Sequence, residues 1–417
     1  MTLSEELQWR GFTNQMTFQD MSLLDEQKRT FYFGVDPSAD SMQIGNLAAA
    51  MMCRVFMKHG YDAILLVGGA TGMIGDPDGK KQERELKTLD IIDTNKKAIA
   101  TQYQQVFGDL EFQLVDNYEW FKNINYLEFL RDIGKHAPMR IMVNREFVRE
   151  RLSEDGEGIS YAEFSYSLIQ GYDFLHLYRE HGVTLQVAGA DQWGNSIAGV
   201  DLIRRIEGAE SHVYTVPLVI NKVTGKKFGK TEDGAVWLDE KKTSVYKFYQ
   251  FWINIDDEGL EYYLKIYTAL APDQIQEILD AHNEAKSNRL GQKRLAYEVT
   301  KIVHGEARAE SVQRISETLF GGENYDQLSD QDFVELEQEL TSTSVVEGIE
   351  LVDVLIESGL ANSKREAREF LASGAVYING EQLPLEKTTL TQEDTIQSHV
   401  ILRRGKNKTA LIKLPSA

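Results

Sequence analysis

Three apolar runs in the first half of this chain each pass straight into a polar, glycine-bearing loop. This pattern narrows the possible folds more than any other feature. Thr30-Phe31-Tyr32-Phe33-Gly34-Val35 reads as a buried strand. The turn-rich residues Asp36 to Ser41 follow, then a helical run from Ile44 to His59, stopped by Gly60. A second run, Ala63 to Val67, enters the glycine-rich stretch Gly68 to Gly79. A third, Thr184 to Gly189, leads through Ala190-Asp191-Gln192-Trp193-Gly194-Asn195 into a helix beginning at Ser196. Strand, loop and helix repeating in this order imply an α/β domain with a parallel sheet. Ligands of such sheets sit beyond the C-terminal strand ends, where all three loops fall.

After about Thr243 the pattern becomes helical, with runs at 245–253, 259–268, 272–286 and 288–305. Residues 321–348 are acidic and turn-rich and read as a linker with room for one short helix. From Ile349 a small module begins, with two helix signals and then the strand and hairpin turn Ala375 to Glu381. The expected boundaries are therefore 1–243, 244–320, 321–348 and 349–417.

Length and charge exclude several classes. The chain has 417 residues, 42% hydrophobic and 26% charged, which suits a multidomain globular protein and not a disordered chain, a collagen or a coiled-coil rod. A net charge of −20 argues against a surface basic throughout, though not against a local basic patch. The single cysteine, Cys53, can form neither an internal disulfide nor a thiolate metal cluster, which fits a reducing compartment. No signal-peptide pattern opens the chain, and its longest apolar stretch, AILLVGGATGMIG, is too short and glycine-rich to span a bilayer. A soluble, cytoplasmic protein is expected.

Two phosphate motifs nearly match and fail. Gly68-Gly69-Ala70-Thr71-Gly72-Met73-Ile74-Gly75 carries Ala70 where a dinucleotide fingerprint needs glycine. Gly225 to Thr231 has one residue too few between its glycines for a P-loop, and no helical run follows. Its lysines, Lys226, Lys227 and Lys230, read either as a solvated basic turn or as a loop bringing ammonium groups to a polyphosphate. The helix starting near Ile44 offers a second anion site. Gly45 lets backbone approach a ligand, the free N–H groups and dipole favour negative charge, and Gln43 and Asn46 add neutral donors or act as capping residues.

Taken in order, these pieces resemble the bacterial tyrosyl-tRNA synthetases, a family of class I aminoacyl-tRNA synthetases. The resemblance runs through Tyr32, Asp36 to Ser41, Val67 to Pro77, Glu163-Phe164-Ser165-Tyr166, Gln170, Tyr172-Asp173-Phe174 and Gly189 to Asn195. Lys227-Phe228-Gly229-Lys230-Thr231 is similar to the family's form of the Lys-Met-Ser-Lys-Ser signature, and Leu351 to Leu383 resembles an S4 RNA-binding domain. The fold so implied is a Rossmann-like parallel-sheet catalytic domain with an insertion, an α-helical domain and a C-terminal S4-like domain. Two positions depart from the family. Gln43-Ile44-Gly45-Asn46 replaces the usual His-Ile-Gly-His or His-Ile-Gly-Asn, and Phe33 replaces a small residue, often Cys. Both bear on ATP handling more than on the reaction class.

The resemblance implies a two-step reaction: activation of L-tyrosine by ATP with magnesium, then transfer to tRNA(Tyr), with no tightly bound cofactor and no protein-held metal. It assigns Gln43, Asn46, Lys227, Lys230 and Thr231 to the phosphates, helped by Lys80 and Arg84 from a loop that can close. Tyr32 and Asp173 pair with the substrate phenol, Asp76, Tyr166 and Gln170 with its ammonium, and Gln192 lies nearby. Gly34, Asp36, Ser38, Gly45, Gly189, Asp191 and Lys230 fall to ATP. A homodimer is expected, and no membrane partner.

For tRNA the basic residues are local. Lys364, Arg365 and Arg368 lie on one helix, with Lys364 and Arg368 on a shared face. Arg403, Arg404, Lys406, Lys408 and Lys413 fill a tail without acids. Arg204 and Arg205 are candidates for the acceptor stem. The competing readings are a paralogue with an altered ATP site, motivated by Phe33 and Gln43, and an RNA-binding derivative that has lost catalysis.

Overall fold

A computed structural model describes residues 1–77, 87–231, 234–321, 325–405 and 408–415. The chain divides into two compact units, residues 1–239 with 255–291, and residues 240–254 with 292–417. The helical stretch expected at 244–320 is thus shared between them.

The first unit is built on a five-stranded parallel sheet of β1 (Thr30–Val35), β2 (Asp62–Val67), β3 (Phe112–Asp116), β4 (Leu185–Gly189) and β5 (His212–Val216), in the order β3-β2-β1-β4-β5. β1 pairs with β2 on one side and β4 on the other, so the strand order reverses at β1 and opens a crevice there. The helices that cover the sheet are α1 (Ile44–Lys58), α2 (Gly69–Ile74), α3 (Leu89–Phe107), α4 (Tyr161–His181) and α5 (Trp193–Glu207). With helices on both faces, the central strands are continuous apolar runs without polar alternation. Side chains of β1 still alternate. Phe31 and Phe33 meet Phe56 of α1 and Tyr103 of α3 at 5.5 and 6.0 Å between ring centroids, while Tyr32 faces Phe174 of α4 at 5.2 Å. α5 starts at Trp193, three residues before the start expected from the sequence, because Gly194 and Asn195 continue the first turn.

α4 is a 21-residue helix, capped by the Ser160 hydroxyl at the Glu163 N–H (3.3 Å) and ended by Gly182 in the left-handed region. Its length places Tyr166, Gln170 and Asp173 at i, i+4 and i+7, one above another along one face.

In the second unit, residues 321–348 are not a bare linker. A helix spans Asp330–Glu339, and β8 (Thr341–Ser344) joins a second sheet by pairing parallel with β12 (Lys408–Lys413). That sheet runs β10-β9-β11-β12-β8, with β9 (Val376–Ile378), β10 (Glu381–Gln382) and β11 (His399–Arg404). The hairpin between β9 and β10 turns on Asn379 and Gly380, both at positive φ (46° and 86°), as its sequence requires. Two helices pack on this sheet, α6 (Leu351–Glu357) and α7 (Lys364–Ala372), around Leu351, Val354, Leu355 and Ala367.

Candidate active site

The loops beyond β1, β2, β3 and β4 carry polar side chains that meet at the crevice. Its deepest part is a buried polar pair without a mutual bond. Tyr32 and Asp173 are each 1% exposed, and the Tyr32 hydroxyl has no hydrogen-bond partner among the described residues. Asp173 is held from the other side, accepting from Asn117 Nδ2 (3.1 Å) and Trp120 Nε1 (2.9 Å). Burial raises the Asp173 carboxyl well above the ordinary range. Its two hydrogen bonds oppose that shift, and the charges of Asp36 and Asp116 add to it. Burial, and then the Asp173 charge, likewise push the Tyr32 phenol upward.

Asn117 and Trp120 were not among the residues singled out by sequence. Asn117, fully buried just past β3, accepts from the Ala70 N–H (2.7 Å) and donates to Thr71 Oγ1 (3.1 Å), tying the first turn of α2 to Asp173. Its signal was an Asn at a strand's C-terminal end, but β3 itself was not recognised. Trp120 is fixed by stacking on His176 at 4.3 Å, a contact with no sequence signature. Replacing Trp120 by phenylalanine keeps the stack and removes one hydrogen bond to the buried carboxylate. For the activity that the family resemblance implies, the preference for tyrosine over phenylalanine in amino-acid activation is then expected to fall roughly tenfold. An unchanged preference would show that Trp120 does not hold Asp173 for the substrate.

Toward the rim, Asp76 accepts from Gln192 Nε2 at 2.6 Å and from Asn195 Nδ2 at 3.5 Å. The Tyr166 hydroxyl donates to Asp36 Oδ2 at 2.7 Å, and Gln170 lies half-buried on the same helix face. Burial raises the Tyr166 phenol, reinforced by Asp36 and Asp76, so it remains a neutral hydroxyl. Asp191 follows Gly189 at the end of β4 and is exposed. Gly34 and Ser38 are exposed at the β1 end, where the Ser38 N–H donates to Asp36 O at 2.7 Å. Gly68 is needed on steric grounds, since a Cβ there would lie 2.6 Å from Asp36 Oδ1 and 2.0 Å from Thr71 Oγ1.

The structure brings together the two sequence segments suspected of phosphate binding. At the start of α1, the Gln43 N–H donates to Asn46 Oδ1 at 3.0 Å, a contact that does not use the Nδ2 donors of the exposed Asn46. Lys227 Cε stands 3.8 Å from the position of a Cβ on Gly45. Gly229, at φ +85°, packs against Ile44, where a Cβ would approach to 3.2 Å. Residues 236–238 strap the two segments together. The Ile44 N–H donates to Val236 O (3.2 Å) and the Val236 N–H to Gly229 O (3.0 Å). Lys230 and Thr231 lie in the short β6 (Lys230–Thr231), paired with β7 (Gly234–Ala235), and their side chains lie outside what is described. Lys80 and Arg84 lie outside the described residues, as does Lys406. Phe33 is buried toward Tyr103, on the opposite strand face from Tyr32.

Several of the RNA candidates turn out to be paired with acids. Lys364 bonds Asp353 (2.8 Å), Arg365 bonds Glu369 (3.0 Å), and Arg404 reaches Glu366 (3.5 Å) while stacking over Phe370. Arg403 lies over the Tyr377 ring at 3.9 Å, and Arg368 is exposed. Arg204, paired with Asp201, and Arg205 are exposed on the last turn of α5.

A parallel sheet that reverses at β1, with a helix start and a lysine loop brought together beside it, is the arrangement that the resemblance to class I aminoacyl-tRNA synthetases implies. Residues 24–321 match the family model of class I tRNA synthetases (W and Y), and residues 332–412 match the tyrosine–tRNA ligase SYY-like C-terminal domain. The tyrosine–tRNA ligase of Geobacillus kaustophilus is 45% identical over 99% of this chain and 100% of its own length. Tyrosine–tRNA ligase 1 of Bacillus subtilis is 45% identical over 98% and 99%. Among solved structures, a C-terminally truncated mitochondrial tyrosyl-tRNA synthetase from Aspergillus nidulans matches with a TM-score of 0.69 and 30% identity, over 76% of this chain and 94% of that one. The chain belongs to the bacterial tyrosyl-tRNA synthetases.

Proposed function

We infer that this enzyme is a tyrosine–tRNA ligase, activating L-tyrosine with ATP and transferring it to tRNA(Tyr). The observation that carries the reading is the unpartnered, buried Tyr32 hydroxyl beside the Asp173 carboxyl group. A buried polar atom left alone is costly, and a substrate phenol between the two groups would satisfy both. Phenylalanine would leave the Tyr32 hydroxyl unpaired and offer nothing to the Asp173 carboxyl beyond its bonds to Asn117 and Trp120, so the pocket favours tyrosine.

In the first step a tyrosine carboxylate oxygen attacks the ATP α-phosphorus, the bond to the β-phosphate oxygen breaks, and pyrophosphate leaves. No group on the enzyme need form a covalent bond, so the work is positioning and charge stabilisation. In this proposal Asp76, Tyr166 and Gln170 receive the ammonium, with Gln192 holding Asp76. Gln43, Asn46, Lys227, Lys230 and Thr231 meet the phosphates, with Lys80 and Arg84 assisting. Gly34, Asp36, Ser38, Gly45, Gly189 and Asp191 border the nucleotide. In the second step the tyrosyl group passes to the terminal ribose of the tRNA.

The donor set at α1, amides and a lysine, suits phosphate oxygens and not a divalent cation, so magnesium is proposed to arrive on ATP. The basic residues of α7 and β11 are proposed to meet the tRNA, with Arg204 and Arg205 at its acceptor stem. The boundaries 1–243, 244–320 and 349–417 are kept as a proposed functional division. No helix among the described residues is long and apolar enough to cross a membrane, and a cytoplasmic location is proposed.

A homodimer is proposed on one observation. Tyr126, Leu127, Met139, Ile141 and Tyr161, all within the insertion between β3 and the first turn of α4, are large, apolar and exposed. Leu127→Asp combined with Met139→Asp is expected to halve the mass seen by light scattering. A dimer that persists would place the interface elsewhere. The function itself is tested by tyrosine-dependent ATP–pyrophosphate exchange, with phenylalanine as control. Correctly folded protein that gives no exchange would overturn it.

A further inference from the structure

The segment proposed to border ATP, residues 34–46, is gripped from behind by one helix. On α3, Asn95 and Gln102 are both buried and lie seven residues apart, hence on one face. Asn95 Nδ2 donates to Pro37 O at 2.9 Å, beside Asp36 and Ser38. Gln102 uses both ends of its amide. Oε1 accepts from the Met42 N–H at 2.7 Å, and Nε2 donates to Ser41 Oγ at 3.0 Å. The Ser41 hydroxyl also accepts from the Asp239 N–H (3.1 Å) and donates to Met42 O (3.0 Å), which fills its hydrogen-bonding capacity. Met42 O further accepts from the Leu238 N–H at 2.9 Å, in the strap that also holds Gly229 and Ile44.

One buried amide thus locks together the entry to α1, the strap behind the lysine loop and the flank of α3. We propose that Gln102, acting through Ser41, is a positioning residue for ATP. It sets where the α1 N–H groups, Gln43 and Lys227 stand relative to the phosphates, while touching no substrate itself. Asn95 performs the same service one step earlier, for the turn that carries Asp36 and Ser38. Among the described residues, the bonds of Gln102 and Ser41 run to Met42 and Asp239, while the phenol pocket is held by Asn117 and Trp120; the Asn95 turn, by contrast, carries Asp36, which accepts from Tyr166. For Gln102 and Ser41 the effect on the two substrates is therefore separable. A fully satisfied buried network fixes a single geometry, and small displacements of positioned groups have large effects on rate.

The inference rests on the proposed assignment of residues 34–46 to ATP. Its test is ATP–pyrophosphate exchange at varied ATP and saturating tyrosine, with equilibrium dialysis of labelled tyrosine without ATP, on Gln102→Met, Ser41→Ala and Gln102→Glu. The expected result for the first two is a loss in kcat/KM for ATP of about tenfold or more, with tyrosine affinity within twofold of the unaltered protein. Gln102→Glu keeps the acceptor for the Met42 N–H and should recover part of the loss. If Gln102→Met does not fold, Ser41→Ala and Gln102→Glu decide alone. Unchanged ATP parameters, or equal losses for ATP and tyrosine, would overturn the proposal. No exchange by the unaltered protein would instead overturn the functional reading on which it rests.

Discussion

Asp173→Ala is expected to lower kcat/KM for tyrosine in pyrophosphate exchange by about a hundred- to a thousandfold. The side chain is buried and is the acceptor toward which Asn117, Trp120 and, in the proposed complex, the substrate phenol all point. Removing it leaves Asn117 Nδ2 and Trp120 Nε1 without that partner and takes the acceptor from the phenol. The losses at Asn117, which keeps its bond to Thr71 Oγ1, and at Trp120 fall on the free enzyme as well, so they lower stability and not kcat/KM. The kinetic effect comes from the phenol: a buried hydroxyl without its acceptor costs about 1–3 kcal/mol, more toward a charged partner, and about 3–4 kcal/mol gives the stated range at about 1.4 kcal/mol per tenfold. The same variant carries a pH signature. The folded-state pKa of Asp173 is raised above its unfolded value, so the folded protein holds the extra proton across the window between them. Its contribution to stability therefore falls as pH rises from the ordinary carboxylate range toward that raised value. The stability of the unaltered protein relative to Asp173→Ala should accordingly decline on going from pH 5 to pH 8 in urea titrations. A variant whose tyrosine kinetics stay within fivefold would remove Asp173 from the substrate site.

Lys227→Ala should slow adenylate formation by a comparable factor, about a hundred- to a thousandfold, the usual consequence of removing one preorganised donor from developing phosphate charge. Tyrosine binding without ATP should stay within twofold. The loop that presents Lys227 is anchored by its neighbour. Phe228 is buried, stacks on Tyr263 at 4.2 Å, and its N–H donates to Val219 O at 3.0 Å. Lys227 itself is exposed and stands beside Gly45, free to follow a phosphate within a few ångströms. Pre-steady-state adenylate formation, with Lys226→Ala as the control expected within threefold, separates this charge from a general basic effect. Equal losses in the two variants would mean that only the summed charge of the loop matters.

Much of this architecture was legible because its causes are local. β1 and α1 follow from apolar runs with turn residues between them, and the β9–β10 hairpin follows from Asn379-Gly380. The candidate site was legible through residue types at strand ends and through the family resemblance. The acidic stretch 321–348 shows where local reading stops. Its composition suggests solvated chain, yet Asp332 is fully buried and bonded to Ser311 and Arg314, and Glu335 to Arg308 at 2.6 Å. The partners that neutralise these acids lie 18 to 27 residues away in sequence.

What the sequence determined by itself was the class of fold, the order of its elements and the chemistry presented at its strand ends. Periodicity, turn residues and strand-end loops depend on neighbours a few residues apart. Which buried groups serve one another came from the three-dimensional packing. It placed Asn117 and Trp120 behind Asp173 and Gln102 behind Ser41, set Tyr103 of α3 against Phe33, and joined Lys364 of α7 to Asp353 of α6. Each of these depends on hydrogen bonds or ring contacts between segments far apart in the chain or on the exact geometry of a strand face or helix surface, and no local pattern encodes such distances.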